Sequence, residues 1–142
     1  MATTIINTGR FSQHVRRGIT ASYEQRQDYL CNLLENALKS FSEKVTEYPF
    51  DEFCWSNKEL IVSVSANSTN STAYVQIACI APEDEYLIKR ALVSEPDFIP
   101  FEDEECEEIS QRSQKFSEAV KRGKNFDSSF RYTMDINVEK YI

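Results

Sequence analysis

Between Phe11 and about Val45 the apolar positions recur at helical spacing. Ile19, Tyr23, Leu30, Leu34, Phe41 and Val45 fall on one stripe, which Leu33, Ala37 and Leu38 widen, while Arg26, Gln27, Glu35, Lys39 and Glu43 mostly take the other face. A repeat of 3.6 residues that buries one side predicts a long amphipathic helix. Ser12 is placed to cap its start, Gly18 to break it and Pro49 to end it.

After an aromatic connection from Tyr48 to Trp55, expected to fold back onto this helix, the period changes. Leu60-Ile61-Val62-Ser63-Val64-Ser65 and Ala73-Tyr74-Val75-Gln76-Ile77-Ala78-Cys79-Ile80 alternate apolar and small polar residues around a polar turn at 66–72. Alternation with β-branched enrichment predicts a hairpin, and Asn67 and Asn70 suit the positive φ of its turn. Residues 86–94 fit a short helix, with Asp84 and Glu85 before it and Lys89 and Arg90 within it, but also a third strand. Pro96 and Pro100 bracket an extended loop carrying Phe98 and Phe101.

A second helix is expected over 103–122. Acids crowd its start, Lys115, Lys121 and Arg122 its end, Gly123 stands where a C-cap belongs, and Ile109, Phe116 and Val120 form its buried stripe. Last, Phe130, Tyr132, Met134, Ile136 and Val138 alternate with Arg131, Thr133, Asp135, Asn137 and Glu139, as in an amphipathic strand. Residues 3–6 suit a short N-terminal strand or arm. These elements describe one α+β domain over residues 1–142. Its small antiparallel sheet comprises the hairpin near 60–80 and a C-terminal strand near 129–138, packed with the long N-terminal helix and the helix near 103–122.

Composition agrees with a folded chain: 41% hydrophobic residues, with nine Phe, seven Tyr and one Trp, can fill a core. No run approaches the ~18 apolar residues that span a bilayer. The start, Met1-Ala2-Thr3-Thr4-Ile5-Ile6, lacks the basic and apolar segments of a secretory signal, so a cytoplasmic location is expected. Four cysteines at 31, 54, 79 and 106 lie more than twenty residues apart, and His14 is the single histidine. Zinc sites need ligands in close pairs, so no metal is expected. In the reducing cytosol Cys31 and Cys79 read as small core residues.

Known catalytic signatures are missing. Three glycines (Gly9, Gly18, Gly123) cannot build a phosphate-cradling loop, so no nucleotide cofactor is expected. His14 with a thiol such as Cys54 would be a minimal nucleophilic pair, but His14 beside Arg16 and Arg17 fits an ordinary surface role better, and no catalytic residue is assigned.

The net charge of -7 is regional: eleven acids between Glu83 and Glu108, against Lys89 and Arg90, give that stretch a local balance of -9. Asp97, Glu102, Asp103, Glu104 and Glu105 form its candidate partner-binding patch, which could meet a basic protein surface or imitate a phosphate backbone. The competing reading is a helix start whose dipole favours acids. A second candidate site sets cations beside rings. Arg16, Arg17, Tyr86, Arg90, Arg131 and Tyr132 could hold a small anionic nucleotide, phosphate on guanidinium and base on ring.

The expectation is therefore a non-enzymatic binding or inhibitory protein with a protein partner of basic surface, such as phages and mobile elements direct against host defences. Sequestration of a small anionic nucleotide is the alternative, and an enzyme whose site escapes motif reading the third. Direct nucleic-acid binding and membrane association are not expected. A homo-oligomer is expected, because the stripe through Tyr23, Leu30, Leu34 and Phe41 looks larger than one hairpin can cover.

Overall fold

The computed structural model describes residues 21–48, 50–66, 72–100 and 113–136. Helix α1 (Ala21–Lys44) leads into strands β1 (Phe53–Ser56), β2 (Leu60–Ala66) and β3 (Thr72–Cys79). Helix α2 (Pro82–Leu92), strand β4 (Phe98–Pro100), helix α3 (Gln114–Gly123) and strand β5 (Ser128–Asp135) follow. The strands form one five-stranded sheet in the order β1-β2-β3-β5-β4, every pairing antiparallel. The α+β class and the long N-terminal helix are as the sequence predicts.

The hairpin keeps the expected alternation, with Leu60 opposite Cys79 and Ala66 opposite Ala73. On one face of the sheet Leu60, Val62, Val64, Val75, Ile77, Phe130, Tyr132 and Met134 pack under α1 and α2 in the main core. On the other face Ile61 and Ala78 meet Phe116 and Ala119 of α3 in a smaller core. Helices thus cover both faces, and β2 is buried along its whole length. The alternating serines therefore do not face solvent: Ser63 and Ser65 are buried.

Helix α1 buries Leu30, Leu34, Ala37, Leu38 and Phe41 on one side, as its stripe predicts, but Tyr23 stands exposed. Gln27, assigned by spacing to the outer face, is fully buried. The reason is α2, which packs alongside α1 so that Gln27 Nε2 donates to the Leu87 carbonyl at 3.0 Å. Leu30, Leu34 and Phe41 are covered by the chain's own sheet and α2, so this stripe supplies no argument for an oligomer.

Of the two readings for 86–94, the helix is correct and begins earlier. Pro82 occupies its first turn, where a missing N–H costs nothing, and Leu87, Ile88, Ala91 and Leu92 make its buried side. Glu83, Asp84 and Glu85 lie at its N-terminus and Lys89 and Arg90 at its C-terminus, the sense the helix dipole favours.

Two connections are corrected to strands in part. Phe53–Ser56 of the aromatic connection is the edge strand β1, with Phe50 and Phe53 edge-on to Phe41. Phe98–Pro100 of the extended loop is β4, pairing with β5.

The second helix carries Phe116 and Val120 as expected but starts at Gln114, without an acid in its first turn. The expected strand at 3–6, Ser12, Gly18, the turn residues Asn67 and Asn70, and the segment 103–112 with Ile109 lie outside the described residues. No helix among the described residues is long and apolar enough to cross a membrane.

Candidate functional site

Two polar constellations hold the described elements together, and both lie near β1. In the first, Arg26 of α1 donates Nε and Nη2 to the two oxygens of Asp84, at 3.0 and 2.8 Å, and Nη1 to Glu59 at 2.7 Å. Asp84 belongs to the first turn of α2 and Glu59 to the turn between β1 and β2, so one guanidinium joins three elements. Its planar fork fits a carboxylate two bonds at a time. The hydrogen bond to Asp84 is the main cause that raises the Arg26 pKa above its ordinary value, against the opposing effect of burial. Arg26 also lies over the Tyr29 ring, 5.5 Å from its centre.

In the second, Glu52 at the entry to β1 caps α3. Its carboxylate accepts the backbone N–H groups of Lys115 (2.7 Å) and Phe116 (3.0 Å), and the Ser63 hydroxyl at 2.6 Å. Lys115 Nζ returns a bond to the Glu52 carbonyl at 3.0 Å. The negative charge that the dipole of α3 favours thus comes from a residue sixty-four positions before Phe116.

Beside these residues a shallow cleft of about 450 Å³ opens between the end of α1, the start of β1 and α3. Val45, Phe50 and Phe53 give it apolar wall, and Glu47 and Asp51 stand exposed at its rim. Cys54 also borders it. Burial pushes this thiol up to about 11, with the charge of Glu52 adding and Lys115 and Arg122 opposing. Burial likewise raises Cys31 and Cys79 to about 12. Thiols held protonated at neutral pH are poor nucleophiles.

The described nucleotide-site candidates fall on two elements, helix α2 and strand β5. Tyr86 and Arg90 stand one turn apart on α2, with Arg90 Nη1 donating to the Tyr86 hydroxyl at 3.3 Å. Arg131 and Tyr132 are neighbours in β5 and so point to opposite faces of the sheet. Tyr132 is buried against Phe98 and Phe130, its hydroxyl raised to about 12 by burial and then by the charge of Glu85. Arg131 lies on the other face, where Nε donates to Gln76 at 3.4 Å. Arg16 and Arg17 lie outside the described residues.

The acidic stretch divides in the same way. Asp84 is held by Arg26. Glu85 receives Lys89 at 2.8 Å and the Ser128 hydroxyl. Burial works to raise the Glu85 pKa, but these hydrogen bonds and the Lys89 charge outweigh it and the net shift is downward. Glu95 is buried and Asp97 exposed. Glu102, Asp103, Glu104 and Glu105 lie outside the described residues.

None of Arg26, Asp84, Glu59 and Glu52 is among the candidate site residues that the sequence suggests. Their partners lie 58, 33 and 64 positions away, and no spacing rule connects such distances. Among the described residues no group of three His, Cys, Asp or Glu side chains is arranged to hold a metal ion. Comparison of the chain with protein-family models, curated proteins and solved structures finds no match in any of the three.

Proposed function

We propose that this protein acts by stoichiometric binding to another protein that presents a basic surface, as an inhibitor or adaptor. The observation that carries this reading is how the polar groups divide. The reactive and charged side chains that cluster are engaged in joining elements, as in Arg26–Asp84 and Glu52–Phe116, and three thiols are held protonated. Acids such as Glu47, Asp51, Glu83 and Asp97 remain exposed on a chain of net charge -7. Such a surface steers a basic partner into encounter and suits recognition better than turnover.

The test is native mass spectrometry of the protein purified from its own source at low salt. A complex with a second polypeptide in fixed ratio, dissociating as salt rises, is the expected result. A small molecule retained without any polypeptide would replace this reading with ligand sequestration, and product formed in excess over protein would replace it with catalysis.

A further inference from the structure

The two edges of the sheet differ in what their backbones offer. At the β4 edge the Asp135 N–H donates to the Asp97 carbonyl at 3.3 Å, which fixes the phase of that ladder. Residues 97 and 99 therefore face β5, and Phe98 and Pro100 turn their backbone groups outward. The Phe98 N–H is already donated to the Glu95 carbonyl at 3.2 Å, and proline has no N–H. Along β4 this edge presents no outward N–H donor, which blunts it as a template for another strand.

The β1 edge is built the other way. The Asn57 N–H donates to the Leu60 carbonyl at 3.0 Å, so Asn57 and Leu60 form a hydrogen-bonded pair. Alternation then turns Trp55 and Phe53 toward their partners Val62 and Val64, and leaves the backbone groups of Cys54 and Ser56 facing out. Among the described residues no strand lies beyond β1. The strand Phe-Cys-Trp-Ser carries no charge and no proline, the devices that usually close an edge. One position further back, the Glu52 carbonyl is taken by Lys115, which bounds the open ladder on that side.

What lies beside this ladder selects its occupant. The cleft at the start of β1 has apolar wall from Val45, Phe50 and Phe53 and carboxylates at the rim from Glu47 and Asp51. Opposing them are Lys44 and Lys115, the latter held by Glu52. A side chain entering there lays methylenes on the rings and carries a cationic head to the rim, the habit of arginine and lysine. A second copy of this chain, itself at -7, is repelled, whereas a basic segment is attracted.

We propose that the outer edge of β1 accepts an extended, basic segment of a partner protein as a sixth strand, bonded to the backbone of Cys54 and Ser56. This rests on the protein-binding reading above and specifies where and how the partner binds.

The experiment selects random short peptides displayed against the full chain, then measures one enriched peptide in solution. Enriched peptides carry lysine or arginine at alternate positions. Ser56→Pro removes one outward N–H at an edge position that tolerates proline, leaves the melting temperature in place and weakens the peptide by about tenfold. Glu47→Lys and Asp51→Lys weaken it too. The same peptide N-methylated on the amides that face β1 does not bind, which tests the ladder without altering the protein. Amide exchange at Cys54 and Ser56 slows in the complex, and exchange at Phe53 and Trp55 does not change.

Enrichment of no peptide, or of peptides that bind Ser56→Pro and survive N-methylation unchanged, overturns the proposal. So does a dimer in sedimentation that Ser56→Pro abolishes, which assigns the edge to a second copy. A natural partner that co-purifies equally with Ser56→Pro overturns the edge and leaves the protein-binding reading intact. Absence of any stoichiometric partner removes both.

Discussion

Arg26 holds Asp84 through two parallel hydrogen bonds, at 3.0 and 2.8 Å, across the junction of α1 and α2. The Asp84 side chain is only 8% exposed, so its charge sits largely out of water and needs that partner. The third bond of the same guanidinium, to Glu59, reaches the turn that begins β2. Helix α1, helix α2 and the β1–β2 turn are thereby fixed to one another beside the main core.

Asp84→Asn is expected to lower stability by about 1–3 kcal/mol, since it leaves Arg26 partly buried without a matched carboxylate. Glu59→Gln costs less, below about 1 kcal/mol, because that side chain is 29% exposed and the pair is screened. Arg26→Lys does not restore the Asp84 contact, because a point charge cannot make both bonds. Urea unfolding of the three variants ranks them, and equal losses for Asp84→Asn and Glu59→Gln would contradict the two-bond clamp.

Glu52→Ala is expected to cost about 1–2 kcal/mol, the range for losing a helix cap. It orphans the first N–H groups of α3 and the hydroxyl of the fully buried Ser63 together. Ser63→Ala is milder, because the carboxylate keeps both backbone donors. If Ser63→Ala proves the more damaging, the buried hydroxyl and not the helix cap is the important element.

The hairpin, the C-terminal strand and the long helix are legible in the sequence because each rests on a local period that burial then enforces. What spacing misses is set by contacts between distant segments. Gln27 reads as outward because α1 taken alone has one apolar stripe, and only the arrival of Leu87 makes a second buried side. The short strands β1 and β4 carry too few residues for a period of two to stand out from a loop. At α3 the acids before the helix suggest that they form its first turn, whereas the carboxylate at that position is Glu52. For the candidate nucleotide site, sequence adjacency misleads at one pair. Arg131 and Tyr132 look paired when read as neighbours, but the pleat of β5 sends them to opposite faces. The open edge at Cys54 and Ser56 is a property of hydrogen-bond phase, which no composition or motif encodes.

Gly123 reads from the sequence as the C-cap, yet the left-handed residue is its neighbour Lys124, at φ 65°. Gly123 serves another need, since a Cβ there would fall against the ring of Phe126. Lys124→Gly is therefore expected to stabilise by about 1 kcal/mol, by relieving the left-handed strain. Gly123→Ala is expected to destabilise despite alanine's better helix propensity, and Phe126→Ala should recover part of that loss in a double-mutant cycle. Thermal melts of the four proteins give the signs, and additivity of the two substitutions would exclude the clash.

Stability should fall as pH rises above 9, and the buried thiols are one identifiable cause. Cys31 and Cys79 are raised from an ordinary 9.0 to about 12 by burial, with acidic neighbours adding: Asp28 and Glu35 for Cys31, and Asp84 and Glu85 for Cys79. Between pH 9 and 12 the unfolded chain has lost these protons and the folded chain retains them. The unfolded state then binds fewer protons, so unfolding becomes easier with each step upward and the effect levels off above 12. Below 9 both states are protonated and the thiols add no slope. Each thiol contributes at most about 1.4 kcal/mol per pH unit inside that window. Cys31→Ala removes one contribution, so its stability loss relative to the wild-type chain is largest at neutral pH and shrinks between pH 9 and 11. Denaturant midpoints at pH 7, 9 and 11, with the slope against denaturant checked for constancy, supply the comparison. A gap between the two proteins that stays constant across this range would mean that the Cys31 thiol ionises as readily in the folded chain as in the unfolded one.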